Sequence, residues 1–310
     1  FARVSPDQKV RIIRASQARG HSVGFIGDGI NDAPAIRAAD AGLAVDGATD
    51  VARAAADMIL LASDLGVVAD GVAEGRRTYA NIMKYLRMGT SSNFGNMVSM
   101  AVASLFIPFL PLTPIQVLLN NLLYDLGETG IPFDAVDQPD LARPHAWRMA
   151  HLLRFTLVMG PLSSLFDIAT FALLLLVFHA APETFRTAWF VESMATQILV
   201  IFLIRTAAPA CTSRPHRLLV LTSLGALAAA VVLALSPVGA AFGFTALSWP
   251  LIGTIAGLVA AYLAMAEYLK RSAVSVAQRH RHRRGRHRRH VRHAELGDAS
   301  ERTWPCNWHD

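Results

Sequence analysis

The sequence has 310 residues, enough for two domains, and 53% of them are hydrophobic. This composition, with a mean hydropathy of +0.36, excludes an ordinary soluble domain and predicts a membrane protein. The formal net charge is +6, but residues 279–293 contain eight arginines and no acid, which leaves 6 − 8 = −2 for the rest. The basic character therefore belongs to one segment, and no nucleic-acid partner is expected.

The two cysteines, Cys211 and Cys306, lie far apart in the sequence. Their spacing indicates neither a disulfide framework nor a zinc site. The chain begins at Phe1 without a methionine, and no signal peptide is visible. We therefore expect a fragment of a longer protein.

Residues 1–64 are predicted to form half of a soluble α/β domain with a parallel sheet. Ser5-Pro6-Asp7 is a typical helix start, with the proline in the first turn. Strands are predicted at 21–26, 41–45 and 58–61, and short helices separate them. This alternation is typical of parallel βαβ units, which bind ligands at the carboxyl ends of their strands.

The first predicted strand leads into a loop with the sequence Gly-Asp-Gly-Ile-Asn-Asp-Ala-Pro. Gly27 and Gly29 flank Asp28, so the backbone can turn sharply there and approach a phosphate of a bound cofactor. Asp28 and Asp32, with Asn31 between them, suit a hard cation such as Mg²⁺. The residues alone predict a loop that binds magnesium and phosphate, and the alternative is a tight turn with an Asx cap.

This string resembles the hinge motif of P-type cation-transporting ATPases, usually written TGDGxNDAPAL, with Ile26 here in place of the threonine. The resemblance implies a haloacid-dehalogenase-like half-domain. In it Asp28 and Asp32 would hold the catalytic Mg²⁺, and Asn31 and Asp32 would order the loop. Lys9, in Ser-Pro-Asp-Gln-Lys, is similar to the segment that supplies a lysine to neutralise the phosphoryl group. Without the resemblance, an isolated helix lysine is usually a solvated surface residue.

The acceptor motif of these enzymes, Asp-Lys-Thr-Gly, is not in the sequence, since none of its lysines, Lys9, Lys84 and Lys270, follows an aspartate. The Thr-Gly-Glu loop of the actuator domain is also absent. The resemblance covers about residues 1–270 and implies the carboxyl-terminal portion of a pump. ATP would then be bound mainly by domains outside this chain, and we expect the fragment alone to be inactive.

A proline-free stretch from Leu65 to about Pro108 predicts one long stalk helix that enters the bilayer. Six apolar segments, each of about 20 residues, predict transmembrane helices. Their limits are 89–109, 112–132, 152–178, 188–206, 217–236 and 247–269. Three domains are therefore expected. They are the carboxyl-terminal half of the cytoplasmic phosphorylation domain at 1–64, the stalk helix with six transmembrane helices at 65–271, and an Arg/His-rich tail at 272–310.

Loop charges predict the orientation in the cell membrane. The loops on one side carry Arg143, Arg148, Arg154, Arg205, Arg214, Arg217, Lys270 and Arg271. The opposite loops carry only Arg186, so the half-domain and the tail are expected to be cytoplasmic. The Arg/His-rich tail, 272–310, is predicted to be disordered. If the tail has a function, binding to anionic lipid is the first alternative, and metal binding by its histidines is a weaker one.

Polar residues cluster in the first two predicted spans. Asn93 and Asn96 share one helix face, and Asn121, Asp125 and Glu128 share another. A carboxylate in a bilayer costs roughly 2.5–3.5 kcal/mol on insertion scales, so it usually marks an ion pathway. We predict that the first four of these residues bind the transported ion and that Glu128 is a further candidate. For the asparagines, hydrogen bonding between helices is the alternative.

Gly127, Gly130 and Pro132 interrupt the second span, and the break could free backbone carbonyls for coordination. The string Ser-Ser-Asn-Phe-Gly-Asn resembles the fifth membrane helix of these pumps, and Asn-Leu-Leu-Tyr-Asp resembles the sixth. The following Ile-Pro-Phe-Asp-Ala-Val-Asp narrows the resemblance to the magnesium-transporting branch. Asp167 and Glu192, in strings similar to that branch, are expected to be structural partners rather than ligands.

The resemblance implies magnesium transport coupled to ATP hydrolysis through an aspartyl phosphate. The implied partners are the transported cation, membrane lipid and the remaining pump domains. A site with few carboxylates and several amide oxygens suits Mg²⁺. A pump for another cation such as calcium is an alternative, since Glu128 adds a second carboxylate. Two other classes stay open: a truncated, non-catalytic pump with a binding or regulatory role, and a membrane-tethered phosphatase-like hydrolase.

Overall fold

The structure is a computed structural model, and it describes residues 4–62, 64–142 and 149–270. The chain divides into two compact units between Gly75 and Arg76. The tail expected at 272–310 and the loop charges Arg143, Arg148 and Arg271 lie outside the described residues.

The first unit contains a three-stranded parallel sheet. Its elements are α1 (Pro6–Ala18), β1 (Gly24–Gly27), α2 (Ala33–Ala38), β2 (Ala41–Val45), α3 (Asp50–Ala55) and β3 (Met58–Leu60). The strand order is β1-β2-β3, with Gly24 opposite Ala41 and Leu43 opposite Met58. The α/β prediction for this region is therefore confirmed.

Local sequence explains where α1 and the sheet begin. The Ser5 hydroxyl accepts a hydrogen bond from the Gln8 N–H, and the Gln8 side chain accepts one from the Ser5 N–H, which is a capping box. The strand β1 begins three residues later than predicted and extends to Gly27, so the first loop glycine belongs to the strand. Asp28 consequently stands directly at the carboxyl end of β1.

The second unit is helical. The helix α4 (Leu65–Phe106) confirms that one long helix follows the sheet, although its first residues group with the first unit. The helices that follow are α5 (Pro114–Glu128), α6 (Gln138–Leu141), α7 (Met149–Leu176), α8 (Pro182–Ile204), α9 (Arg217–Leu235) and α10 (Trp249–Lys270).

Four of these helices, α7 to α10, are long and apolar enough to cross a membrane. The two spans expected in α4 and α5 are not confirmed. With 15 residues, α5 extends only about 22 Å, short of a hydrocarbon core of about 30 Å. The long helix α4 has sufficient length, but within the described residues it has no sufficiently apolar stretch.

The helix α8 lies at the centre of the second unit. Its side chains Phe185, Trp189, Phe190, Met194 and Ile198 are fully buried. They pack in a hydrophobic core with residues of α4, α5, α7, α9 and α10. The aromatic ring of Phe171 on α7 lies edge-on to Trp189, with ring centroids 4.8 Å apart. The core therefore fixes the position of α8 against its neighbours.

The expected break after α5 is present, but one backbone carbonyl next to it, that of Gly127, is not free for coordination. The helix ends at Glu128, and a 3₁₀ turn follows at Ile131–Phe133. The carbonyl oxygen of Gly127 accepts hydrogen bonds from Thr222 Oγ1 at 3.2 Å and Ser223 Oγ at 2.9 Å. Two hydroxyl groups of α9 therefore satisfy the Gly127 carbonyl, because they face the end of α5.

Candidate functional site

The loop after β1 is held in place by an ion pair. The Lys9 Nζ atom lies 2.5 Å from Asp32 Oδ1, and the Asp28 N–H donates to Asp32 Oδ2 at 3.4 Å. Burial raises the pKa of Asp32, but the Lys9 ammonium and the Asp28 and Gly29 N–H groups outweigh it and hold that pKa below its ordinary value. An ionised Asp32 therefore joins α1 to the loop.

The Asp28 carboxylate of this loop, unlike that of Asp32, is not engaged by another group among the described residues. Its side chain is exposed and has no hydrogen-bond partner in the part of the chain that the structure describes. The backbone around it is fixed, since Asp28 O accepts from the Thr49 N–H at 2.9 Å. Asp28 thus fits a cation ligand, whereas both oxygens of Asp32 are already engaged by Lys9 and Asp28.

The two glycines differ in their surroundings, and their predicted approach to a phosphate stays a prediction. Neither Gly27 nor Gly29 has a positive φ, so neither is required for a left-handed turn. A Cβ atom on Gly27 would lie 2.4 Å from Asp32 Cβ, so this glycine allows Asp32 to pack against β1. A Cβ on Gly29 would meet only the Asn31 N atom, at 4.0 Å. The Asn31 side chain is exposed, and its predicted role in ordering the loop stays a prediction.

A second candidate site is a cavity of about 430 Å³ in the helical unit. All four predicted transport residues, Asn93, Asn96, Asn121 and Asp125, line it. The other lining residues are Met97, Met100, Leu112, Val117, Asn120, Tyr124, Trp189 and Ser193. The fold thus brings amide oxygens of α4 and α5 and one carboxylate of α5 to one space, beside a wall from α8.

A hydrogen-bond network fixes one side of this cavity. Ser193 Oγ donates to Asn96 Oδ1 at 3.5 Å, and Asn120 Nδ2 donates to Ser193 Oγ at 3.4 Å. Gln197 Nε2 donates to Ser193 Oγ at 2.5 Å and to Asn120 Oδ1 at 3.4 Å. Asn96 therefore also serves the structural role that we considered as its alternative.

The remaining transport candidates are less constrained. Asn93, Asn121 and Asp125 are exposed on the surface of this unit, and among the described residues their side chains have no hydrogen-bond partner. Their oxygen atoms are consequently available to a cation. Groups of three or more His, Cys, Asp or Glu side chains able to hold a metal are not found within the described ranges, so carboxylates alone do not complete either candidate site.

The prediction that Glu128 shares the face of Asn121 and Asp125 at the site is not supported by the geometry. Glu128 does not line the cavity; it is buried at the end of α5, and the neighbouring Tyr124 hydroxyl donates to Ser92 Oγ at 3.2 Å. The physical reason is that α5 ends at Glu128, one turn beyond Tyr124, and there it meets neighbouring helices. In the described part of the chain, the buried Oε1 atom of Glu128 has no hydrogen-bond partner.

A buried charge cluster at Asp134 was not foreseen from the sequence. The Asp134 carboxylate pairs with Lys84 Nζ at 2.8 Å and Arg205 Nε at 2.9 Å, and it accepts from the His216 N–H at 3.2 Å. Burial raises the pKa of Asp134, but Arg205 and Lys84 outweigh it and hold the pKa below its ordinary value. One carboxylate thus joins α4 and the end of α8 to the residue that caps α9.

Residues 109–272 match the family model described as "Cation transporting ATPase, C-terminus". The chain belongs to the cation-transporting ATPase family. It is 45% identical over 278 residues to "Magnesium-transporting ATPase, P-type 1" of Escherichia coli (strain K12), a match that covers 87% of this chain and 31% of that protein. The predicted resemblance to the magnesium-transporting branch of P-type ATPases is therefore confirmed.

Other members of the family show the same partial coverage. A "Magnesium-transporting ATPase, P-type 1" of Salmonella typhimurium (strain 14028s / SGSC 2262) is 46% identical over 275 residues, which are 87% of this chain and 30% of that protein. The "Calcium-transporting ATPase" of Bacillus subtilis (strain 168) is 34% identical over 248 residues, 76% of this chain and 27% of that protein. The chain thus spans less than a third of the length of these cation-transporting ATPases.

Proposed function

We propose that this chain is the carboxyl-terminal part of a pump that transports Mg²⁺ across the cell membrane and is driven by ATP through an aspartyl phosphate. The observation that carries the proposal is the cavity at which Asn93, Asn96, Asn121 and Asp125 meet. One carboxylate with several amide oxygens suits an ion that keeps part of its water shell, as Mg²⁺ does. The names of the more similar relatives agree with this cargo.

In this proposal α4 and α5 also lie in the membrane, which gives six spans. Polar residues make both helices less apolar than α7 to α10, and in a transport site they face other helices or water rather than lipid. The basic loops then place the first unit and the tail in the cytoplasm. Labelling of single cysteines in these loops from each side of sealed vesicles tests the arrangement.

The first unit would supply part of a haloacid-dehalogenase-like phosphorylation site. Asp28 would bind the catalytic Mg²⁺, because its carboxylate is free and stands at the end of β1. The bound metal supplies positive charge that offsets the charge of the transferred phosphoryl group. Asp32 would hold Lys9 and the Asp28 N–H in position. The acceptor aspartate and most of the ATP site would come from sequence outside residues 1–310.

The identity of the cargo is tested by replacing Asp125 in a complete pump that contains these residues. In Asp125→Ala we expect loss of Mg²⁺-stimulated ATPase activity, while phosphorylation by inorganic phosphate is retained, because the carboxylate lies in the cavity and not in the phosphorylation site. Glu183→Ala is the matched control, since Glu183 is exposed at the start of α8. Unchanged ATPase activity in Asp125→Ala would remove Asp125 from the site, and stimulation by Ca²⁺ in place of Mg²⁺ would favour a calcium pump.

A further inference from the structure

Three buried polar side chains of α5 and α8 form a closed triangle of hydrogen bonds beside the cavity. They are Asn120, Ser193 and Gln197, and each is 3% exposed or less. Gln197 Nε2 donates to Ser193 Oγ at 2.5 Å and to Asn120 Oδ1 at 3.4 Å. Asn120 Nδ2 donates to Ser193 Oγ at 3.4 Å. Each side chain therefore contacts both of the others.

Gln197 lies behind the cavity wall rather than in it. Asn120 and Ser193 line the cavity, whereas Gln197 follows Ser193 by one helical turn of α8 and is not a lining residue. A buried amide costs free energy unless it is hydrogen bonded, and the N–H donors of Gln197 find their acceptors in the wall. Gln197 is thus in contact with the wall of the transport cavity without facing the cavity itself.

The amide of Gln197 determines which oxygen atoms of the wall are open to a cation. Its nitrogen has two protons, and it donates to both Ser193 and Asn120. Ser193 Oγ accepts two hydrogen bonds, so both of its lone pairs are occupied. The hydroxyl proton of Ser193 is directed to Asn96 Oδ1, which at 3.5 Å is the longest contact of the network. With Gln197 in place, Ser193 Oγ is therefore not available as a metal ligand, and Asn120 Oδ1 is engaged.

This arrangement limits the number of protein oxygens that a cation can reach. Asn93, Asn121 and Asp125 have no hydrogen-bond partner among the described residues, in contrast to the triangle. Ca²⁺ takes more oxygen ligands than Mg²⁺, and Mg²⁺ keeps several of its water molecules when it binds. A wall whose oxygens are already hydrogen bonded consequently favours the ion that needs fewer protein ligands.

We propose that Gln197 is a specificity-determining residue of the transport site. By its hydrogen bonds to Ser193 and Asn120 it keeps their oxygens from the cation, and this favours Mg²⁺ over Ca²⁺. Gln197 acts through these two residues and does not touch the ion, so it is a positioning residue. The inference rests on the proposed function, because it requires that the cavity binds the transported ion.

Equilibrium binding of radioactive Ca²⁺ to the complete pump, without ATP, tests this role. Increasing Mg²⁺ displaces the bound Ca²⁺, and the titration gives a Kd for each ion. Binding that is absent in Asp125→Ala is counted as binding at the cavity, which separates it from the site at Asp28. The variant is Gln197→Met, because methionine is unbranched and of similar length but has no N–H donor.

In Gln197→Met the ratio of the Kd for Mg²⁺ to the Kd for Ca²⁺ should rise at least about tenfold. Loss of a residue that supports metal ligands typically changes metal affinity by about 10–100-fold. The matched control is Thr196→Val, which should keep the wild-type ratio. Thr196 is the neighbouring residue and is also 3% exposed, but its hydroxyl donates to Glu192 O and Ser193 O of its own helix.

A purely structural role of Gln197 gives a different result. An unchanged ratio in Gln197→Met, or an equal loss of affinity for both ions, would overturn the proposal. If Gln197→Met does not fold, Gln197→Leu is measured in its place, and failure of both variants to fold would assign Gln197 to stability and also overturn it. Absence of Asp125-dependent binding in the wild type would instead refute the proposed transport site, and this inference with it.

Discussion

Asp134→Asn is the substitution with the largest expected effect on the helical unit. Asp134 is 1% exposed and pairs with Lys84 and Arg205, which are themselves buried. Asparagine has nearly the same shape but no charge, so the two cations would remain buried without a counter-charge. The variant therefore isolates the ionic contribution of the carboxylate from its packing.

The expected loss is large because removing one member of a buried ion pair costs about 3–5 kcal/mol. For a unit of this size, 1 kcal/mol changes the melting temperature by about 2–4 °C, which gives a decrease of roughly 6–20 °C. Asp137→Asn is the matched control. Among the described residues, Asp137 Oδ2 accepts from the neutral donors Thr206 Oγ1 at 2.9 Å and Ala207 N–H at 3.2 Å, so about 1 kcal/mol is expected there.

The measurement is thermal unfolding of the purified full chain in one detergent, followed by tryptophan fluorescence, for the wild type and both variants. The pKa of Asp134 is held below its ordinary value, so its contribution is present above the pKa of an unfolded aspartate and is lost as the pH falls through the folded pKa. The difference between wild type and Asp134→Asn should therefore be full at neutral pH and shrink in acid. Equal effects of the two substitutions, or a difference independent of pH, would refute this account of the cluster.

Three further predictions concern other regions. Gly130→Ala should destabilise the helical unit by about 1–3 kcal/mol, because the new Cβ would lie 2.4 Å from Leu219 Cα. The control Gly225→Ala places its Cβ in open space and should be neutral or stabilising in the same unfolding assay. Asp28→Asn should abolish ATP turnover of the complete pump, and wild-type activity would exclude its catalytic role. Lys9→Met should destabilise the first unit at neutral pH but not after acidification. The pKa of Asp32, which pairs with Lys9, is lowered in the folded state, so the stabilisation is lost as the pH falls through that pKa. A loss of stability in Lys9→Met that persists in acid would contradict this.

Regular local patterns made much of the fold predictable. The alternation of short apolar runs with helix formers gave the three parallel strands, and the absence of proline gave the long helix α4. The convergence of Asn93, Asn96, Asn121 and Asp125 on one cavity was also predictable, since polar residues on neighbouring helices of a bundle with an apolar core have a strong physical reason to face each other.

Contacts between distant residues could not be predicted in this way. Asp134 and Arg205 are 71 residues apart, and the string that contains Asp134 indicated a family resemblance but no ion pair. Glu128 has the helical spacing of a site residue, but spacing does not reveal that α5 ends there. Similarly, Ser193 carries no local signal for its contacts with Asn96 and Asn120, because these depend on how α8 packs between other helices.

The central claim is that this chain contributes the transport site of a magnesium pump. The most direct test is ATP-driven movement of Mg²⁺ in proteoliposomes that contain the complete pump, followed with a Mg²⁺-sensitive dye, for the wild type and Asp125→Asn. Our account predicts transport of Mg²⁺ by the wild type and its loss in Asp125→Asn. Transport of Mg²⁺ at the wild-type rate by Asp125→Asn, or no ATP-driven Mg²⁺ movement by the wild type, would contradict it.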